Sequence, residues 1–413
     1  MRLAIRDPEL FGVTETTATV TFVVAGPDGP VDAPARVLVD GVERAVSEGP
    51  AGTRLVRVDG LSPGTTQRLE IVPGARGSAA GDAASPDPYF PGDVTTLPAP
   101  TAKEVASFAT LNDLHFGESR FGGTLLPGGD YGDPAPGFPE VHESEGDVPY
   151  WLAMNEDAVA DINAAGVDAV VVKGDIADRG RRDQFEIAAR TFARFRMPHH
   201  AFLGNHDHYG LLAGDHVDGY PILGQPPAPR AVDLGGWRLL LLDTVEPGHH
   251  HGVFGDDRMR WLADALAETG ARSIPTLLVM HHQPVAPEHR DRFPNTIGLL
   301  PEHSLPFADL VGRNPQVKGV LIGHTHRNKL HRFAGAPGVP FVEVSCVKDY
   351  PGSFAVYRLF SDGSFRQEVR RIASARALAH STRCREFFDR GYRRFALGAL
   401  AHRSFVAGGA AQR

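Results

Sequence analysis

Five short clusters of oxygen- and nitrogen-bearing side chains punctuate the second part of this sequence. They are Asp113-Leu114-His115, Gly174-Asp175, Gly204-Asn205-His206-Asp207, His281-His282 and Gly323-His324-Thr325-His326. Each follows a run of apolar residues that reads as a strand. In open α/β sheets the ligand site lies beyond the carboxyl ends of the strands, so five strand ends can converge on one place. Within Asp-x-His and His-x-His, alternate side chains point the same way if the backbone stays extended, and each pair then supplies two ligands. The glycines before Asp175, Asn205 and His324 allow tight strand-to-loop turns. Alone, each motif is weak: an Asp at a strand end is usually a helix cap. Five clusters in this order, each after an apolar run, are hard to obtain by chance.

Carboxylate, amide and imidazole ligands without thiolate suit Mn, Fe or Zn. One carboxylate can bridge two ions ~3.5–4 Å apart, which together activate a water for in-line attack on phosphorus. Neutralised charge is what a phosphate ester anion needs as its oxygens gain charge in the transition state. A structural zinc site is disfavoured, since such sites are closed and Cys-rich. Cys346 and Cys384 form no metal-like pair.

The elements that must position these residues follow from periodicity. From Glu104 onward strands alternate with helices: Val105–Leu111, a helix near Tyr150–Ala165, Ala169–Lys173, a helix near Asp183–Phe195, Ala201–Leu203, Trp237–Leu242, a helix near Asp256–Glu268, Pro275–Met280 and Gly319–Ile322. This is the pattern of an α/β layered domain, placed at 104–371. Later β-runs at Phe341–Val344, Phe354–Leu359 and Phe365–Val369 imply a second sheet. Residues 1–98 read as a small all-β sandwich, with strands at Thr17–Val24, Arg36–Val39, Thr53–Val58 and Arg68–Val72. They lack His, Cys and Lys, and are expected to be dispensable for chemistry. The segment Phe116–Pro149 is aperiodic and dense in Gly, Pro and acids, a functional lid or a disordered loop. Residues 372–413 read as a helical, Arg-rich tail that packs on its own domain or builds a homodimer.

The composition excludes some classes. With 413 residues, 42% apolar and 22% charged, the chain is long enough for two domains and ordinary for a folded protein. A net charge of -8 argues against a nucleic-acid polymer as partner. No signal peptide and no membrane-spanning apolar run is visible, so the expected location is cytoplasmic. All 19 histidines lie at or beyond His115, which assigns the chemistry to the later domain.

The order D-x-H, GD-x-x-D, GNHD, HH, GH-x-H resembles the calcineurin-like metallophosphoesterase superfamily over roughly Val105 to Arg371. The stretches His251-Gly252-Val253-Phe254-Gly255 and Met259-Arg260-Trp261-Leu262 are also similar to members that cleave cyclic nucleotides or other small phosphodiesters. The resemblance implies a four-layer αββα sandwich and two divalent metal ions (Mn, Fe or Zn). Asp113, His115 and His326 then look like ligands of the first metal, Asp175 the bridge, and Asn205, His281 and His324 ligands of the second. His206 resembles the phosphate-contacting general acid and Asp178 the carboxylate that orients it. Arg179 matches a phosphate-contacting arginine of related protein phosphatases. Val13–Val20 and Leu61-Ser62-Pro63-Gly64-Thr65 resemble a fibronectin type III domain, although Gln67 stands where that family usually has its corner tyrosine.

Two departures bear on the chemistry. Purple acid phosphatases carry a tyrosine ligand three residues after the bridging aspartate, where this chain has Asp178, which disfavours a ferric site. His281-His282-Gln283-Pro284 replaces the HHPP of many cyclic-nucleotide enzymes, and His282 reads equally as a substrate contact or a packed histidine. His199 and His200 read as structural, His249 and His250 as solvent-exposed, and Asp207 as support for its loop. The expected function is hydrolysis of a small phosphate ester, a phosphodiester of the cyclic-nucleotide or glycerol type. The alternatives are a phosphomonoesterase on a nucleotide, sugar phosphate or phosphoprotein, and a non-catalytic interaction protein on the same scaffold.

Overall fold

The computed structural model of the chain describes residues 2–77, 81–122, 140–387 and 391–408. Two six-stranded sheets form its centre. The first runs in the order His199–Phe202, Ala169–Lys173, Glu104–Leu111, Ser353–Phe360, Ser364–Arg371, Ser404–Gly408. The second runs Arg230–Leu234, Trp237–Leu241, Thr276–Met280, Val317–Ile322, Ala336–Glu343, Lys329–Phe333. Strand alternation explains the layering. Leu239 and Leu241 turn inward to meet Phe108, Val171 and Tyr357 of the first sheet. Leu240 and Leu242 face the other way, against Leu262, Leu266, Phe307 and Val311 of the helices Asp256–Ala271 and Pro301–Gly312. The helices Tyr150–Ala165 and Arg182–Phe192 cover the outer face of the first sheet through Met154, Ile162, Phe185 and Phe192. The order is helices, sheet, sheet, helices.

The strands that carry the ligand clusters lie in the parallel parts of these sheets. Ala169–Lys173 pairs in parallel with both Glu104–Leu111 and His199–Phe202. Thr276–Met280 pairs in parallel with Val317–Ile322. Their carboxyl ends therefore share one edge of the layered pair. Residues 169–173 and 276–280 are buried on both faces, as near-continuous apolar parallel strands must be.

Residues before 98 form two further four-stranded sheets, one containing Ala4–Val13, Ala18–Gly26 and Thr53–Val58, the other Ala35–Val39 and Thr66–Pro73. Val20, Phe22, Val37, Val58 and Ile71 fill the space between them. The expected strands are present; Ala4–Val13 was not among them, because its Arg6-Asp7-Pro8-Glu9 run hides the alternation. The helix Pro301–Gly312 was also missed, since its prolines at 301 and 306 read as breakers.

The tail differs from expectation. It has helices at Ala375–Arg385, Gly391–Leu397 and Leu400–Arg403, but then adds the strand Ser404–Gly408 to the edge of the first sheet. Arg385, Arg393 and Arg403 turn inward, while Arg376, Arg383 and Arg394 stay exposed. Arg403 donates to the carbonyls of Phe11 (2.7 Å) and Leu10 (2.8 Å). Glu9, fully buried, accepts from Arg393 (2.8 Å), Arg371 (3.2 Å) and the Tyr350 hydroxyl (2.8 Å). Burial alone would raise the Glu9 pKa, but Arg371, Arg393 and Arg385 outweigh it and hold the carboxylate below its ordinary value of 4.5. The N-terminal strands thus bind both the first central sheet, at Arg371, and the tail, a part that the absence of His and Lys did not foretell.

A carboxylate depressed in the folded state contributes stability above its unfolded pKa and loses it as pH falls through the folded pKa. Glu9→Gln is expected to cost roughly 3–5 kcal/mol at neutral pH, because it leaves buried guanidinium groups uncompensated. The gap between variant and parent should narrow in acid; denaturant melts at pH 7 and pH 3 that show equal gaps would refute this account of Glu9.

Candidate metal centre

The five clusters meet. Asp113, Asp175, Asn205 and His281 are each at most 1% exposed, and His115 and His324 are buried beside them. His281 Nε2 lies 3.2 Å from Asp175 Oδ2 and 3.0 Å from Asn205 Oδ1. His115 Nε2 is 3.8 Å from the same Asp175 oxygen, and His326 Nε2 is 3.4 Å from Asp113 Oδ1. Asp113, His115 and His326 form one group able to grip a cation, and Asp113, Asp175 and His281 another.

The backbone reaches this convergence differently from the extended geometry expected for Asp-x-His and His-x-His. Asp113 (φ 53°), His115 (45°), Asp175 (49°), His324 (69°) and His326 (55°) are all left-handed; elsewhere among the described residues only Asp7, Asp40 and Ser273 share that state outside glycine. Left-handed residues curl the chain so that both members of each pair face the site. The turns are held by backbone bonds, including Leu114 N to Asp175 O (2.8 Å) and Phe116 N to Ile176 O (2.8 Å). Gly174 has φ 85°, which a side chain would strain. Gly204 serves by close approach instead: a Cβ there would stand 2.3 Å from Asp175 Oδ1 and 2.8 Å from His281 Cε1.

Each imidazole is oriented by its far nitrogen. His281 Nδ1 donates to Lys173 O (2.8 Å), His324 Nε2 to Ile297 O (2.9 Å) and His326 Nδ1 to Asp349 Oδ2 (3.0 Å). This leaves His281 Nε2, His324 Nδ1 and His326 Nε2 facing the centre, the arrangement that metal-ligating histidines adopt. Asp113 Oδ1, His115 Nε2, His282 Nε2 and His324 Nδ1 are buried without a hydrogen-bond partner. Buried polar atoms left without partners are costly, so their clustering here is what a cation site requires. The donor set is oxygen and nitrogen throughout and fits divalent metals.

Charge follows geometry. Burial disfavours the Asp175 and Asp113 carboxylates, yet His281 and His326 respectively bring both well below the ordinary range. Burial would likewise lower His281, but Asp175 raises it to about 9. His324 is pushed down to about 3 by burial and by His281. His206 is raised: Asp175 and Asp178 overcome its desolvation.

Asp178 stands between two histidines. Its Oδ1 is 3.4 Å from His115 Nδ1 and 3.6 Å from His206 Nδ1, while its carbonyl accepts from His206 Nδ1 at 3.0 Å. It therefore orients His115 as well as His206. Arg179 is 69% exposed at the rim, its Nε 3.6 Å from Asp178. Asp207 supports its loop, accepting from Ala177 N (2.6 Å), Gly204 N (2.8 Å) and Ile176 N (3.2 Å). His208 turns to His216 (3.2 Å), outside the cavity lining. His282 is packed, its Nδ1 hydrogen-bonded to Thr244 Oγ1 at 2.8 Å.

A cavity of about 610 Å³ lies over this centre and is lined by His115, Asp175, Asn205, His206, His324 and His326. Its walls include residues that sequence reading missed. Asn205 Nδ2 donates to the Tyr209 hydroxyl (2.5 Å), which in turn bonds His250 Nδ1, so His250, exposed as expected, also lines the cavity. Phe121 from the short hairpin Arg120–Phe121/Val141–His142, Phe293, Tyr392 and Phe395 make an aromatic side. Residues 123–139 of the expected lid lie outside the described residues.

The calcineurin-like phosphoesterase profile matches residues 106–328, more than half of the chain. The chain belongs to the calcineurin-like phosphoesterase family. It is 30% identical over 188 residues to a glycerophosphodiester phosphodiesterase of Enterobacter lignolyticus, covering 45% of this chain and 66% of that protein. It is 30% identical over 220 residues to a cAMP/cGMP dual specificity phosphodiesterase of Mycobacterium tuberculosis (49% and 66%). A third relative, a 3',5'-cyclic adenosine monophosphate phosphodiesterase of Pseudomonas aeruginosa, is 30% identical over 217 residues (50% and 75%). The match thus spans just under two thirds of the first two relatives. Among solved structures, a dimetal phosphatase from Danio rerio aligns with TM-score 0.46 and 18% identity over 65% of this chain and 97% of that one. No helix among the described residues is long and apolar enough to cross a membrane.

Gly204→Ala is expected to displace Asp175 and His281 and so reduce retained metal at least about tenfold, in line with other losses of ligand support. Elemental analysis after gel filtration reads this directly; a variant that keeps the parent's metal content would show that the close approach at Gly204 is not required.

Proposed function

We propose that the chain is a dinuclear metal-dependent phosphodiesterase acting on a small diester of the cyclic-nucleotide or glycerol type. The observation that carries this reading is the set of partnerless buried atoms, Asp113 Oδ1, His115 Nε2 and His324 Nδ1, around the shared Asp175. Asp113, His115 and His326 would hold one ion, Asn205, His281 and His324 the other, with Asp175 between them. The ions, Mn, Fe or Zn, supply Lewis acidity to the phosphoryl group and a nucleophile at neutral pH.

The chain's own residues do the rest. His206, 28% exposed, carries a proton on Nδ1 toward the Asp178 carbonyl and turns Nε2 away from that bond, so in its charged form it can protonate a leaving oxygen. Asp178 and Asp175 favour that charged form. Arg179 at the rim would meet a non-bridging phosphate oxygen. Preference for a diester is supported by the three relatives, each described as a phosphodiesterase. The two sheets of residues before 98 are read as a fibronectin type III-like module that braces the tail.

The test is hydrolysis of bis(p-nitrophenyl) phosphate against p-nitrophenyl phosphate, after chelation and add-back of Mn, Fe or Zn. Metal-dependent turnover favouring the diester is expected. Preference for the monoester would replace the reading with a phosphatase, and inactivity with every metal would sink it in favour of a non-catalytic scaffold. His206→Ala is expected to lower turnover about 10²–10⁴-fold, the usual span for a general acid, with metal content unchanged. Near-parental turnover in that variant would remove His206 from the acid role.

A further inference from the structure

Two pairs of consecutive residues straddle the space between the metal centre and the N-terminal sheet. Asp349 and Tyr350 follow the strand Ala336–Glu343 by a few residues; Tyr392 and Arg393 lie in the tail helix Gly391–Leu397. In each pair the first residue faces the centre and the second faces Glu9. The Tyr392 hydroxyl donates to Asp349 Oδ1 (2.9 Å), and Asp349 Oδ2 accepts from His326 Nδ1 (3.0 Å). On the other side the Tyr350 hydroxyl and Arg393 Nε both donate to Glu9 Oε1, each at 2.8 Å.

Asp349 is fully buried, so the direction of its carboxylate is set by its bonds and not by water. Lys348 approaches the same Oδ2 at 3.5 Å but is committed to Glu118 at 2.8 Å and 2.9 Å. Oδ1 takes its bond from Tyr392. A carboxylate pinned at one oxygen presents the other in a fixed direction, and His326 Nδ1 sits in that direction. The opposite ring nitrogen, Nε2, is the one aimed at Asp113 Oδ1.

We propose that Tyr392 is a positioning residue for His326, acting through Asp349, so that the tail of the chain completes one half of the metal centre. This rests on the reading of His326 as a ligand. Tyr392 also lines the cavity, beside Phe121 at 5.9 Å between ring centroids and Phe395 at 5.9 Å, so its ring and its hydroxyl have separate tasks. Tyr392→Phe removes only the second.

The experiment titrates Mn²⁺ into metal-stripped full-length protein by calorimetry. The parent is expected to show two binding events. In Tyr392→Phe one affinity falls about ten- to a hundredfold, as for other lost supports of a ligand, while the second affinity stays at its parental value. Asp349→Asn weakens the same event, and the double variant is no weaker than Asp349→Asn alone, because both act on one ring. Unchanged affinities in Tyr392→Phe overturn the proposal. So do equal losses at both sites together with a lowered melting temperature, which mark a merely structural tyrosine, and so does additivity in the double variant. Failure of the parent itself to bind Mn²⁺ is a different result, one that removes the metal reading on which the proposal stands.

Discussion

Asp113 and Asp175 stand buried close together, and the charge of Asp175 opposes that of Asp113. Carboxylates in so dry a place are tolerable only with positive charge beside them. Most of the centre's chemistry follows from that demand. Asp175 lifts His281 to about 9 against the effect of burial. Cys346 and Asp113 lift His326, again against burial. Asp207, pushed up to about 7 by burial and then by Asp175, feels the same field even though three backbone amides favour its charged form. The carboxylates thus hold protons on the very imidazoles that would ligate a metal, and metal uptake must displace those protons. Affinity should therefore be set as much by pH as by the identity of the ion.

The supports of the centre are spread far along the chain. Lys173 lies beneath it, its ammonium donating to Ile322 O at 2.6 Å, and burial brings its pKa down to about 7 although Asp113 works the other way. Glu118 accepts from Lys348 and from Tyr150 (2.8 Å), joining the first cluster's loop to the helix that covers the first sheet. Glu9 gathers the tail arginines and Tyr350. A residue near the start of the chain is consequently one hydrogen bond and one peptide step from Asp349. The Arg-rich character of the tail answers this need: guanidinium groups carry several donors in a fixed plane and can satisfy a buried carboxylate together with neighbouring carbonyls, as Arg393 does with Glu9 and Pro8 O.

What the sequence made legible was the part governed by local rules. The helix Tyr150–Ala165 and the strand Ala169–Lys173 match the structure at both ends, because apolar periodicity and Gly166 and Gly174 mark their limits. All seven expected ligand residues are brought together, since order and spacing after strands survive folding unchanged. The illegible part was set by contacts distant in sequence. Nothing near Glu9 announces Arg393, and nothing near Asp349 announces Tyr392. His250 is the exposed loop histidine that local rules expect, but nothing near it announces the Tyr209 hydroxyl that joins it to Asn205. The strand Ser404–Gly408 was hidden because its partner, Ser364–Arg371, is forty residues away in sequence and the intervening segment reads as helix.

The conformation of the ligand residues was also beyond local rules, and it has an energetic meaning. A left-handed backbone costs roughly 1–2 kcal/mol for each residue with a side chain. Asp113, His115, Asp175, His324 and His326 all bear it, against a net stability that for whole domains is only about 5–15 kcal/mol. Such a cluster persists only where the surroundings over-determine it. Here they do: His324 N donates to Asp113 Oδ2 (3.0 Å), His206 N to Asp175 Oδ1 (2.9 Å), and His115 N to Asp175 O (3.1 Å). Each bond ties one cluster to another, so no ligand loop can relax to an ordinary conformation without releasing its neighbour. The strain is thereby kept at the centre, where it holds the metal-facing atoms in place before any ion arrives, and where an ion bound by several of these loops at once would stabilise the conformation they already share.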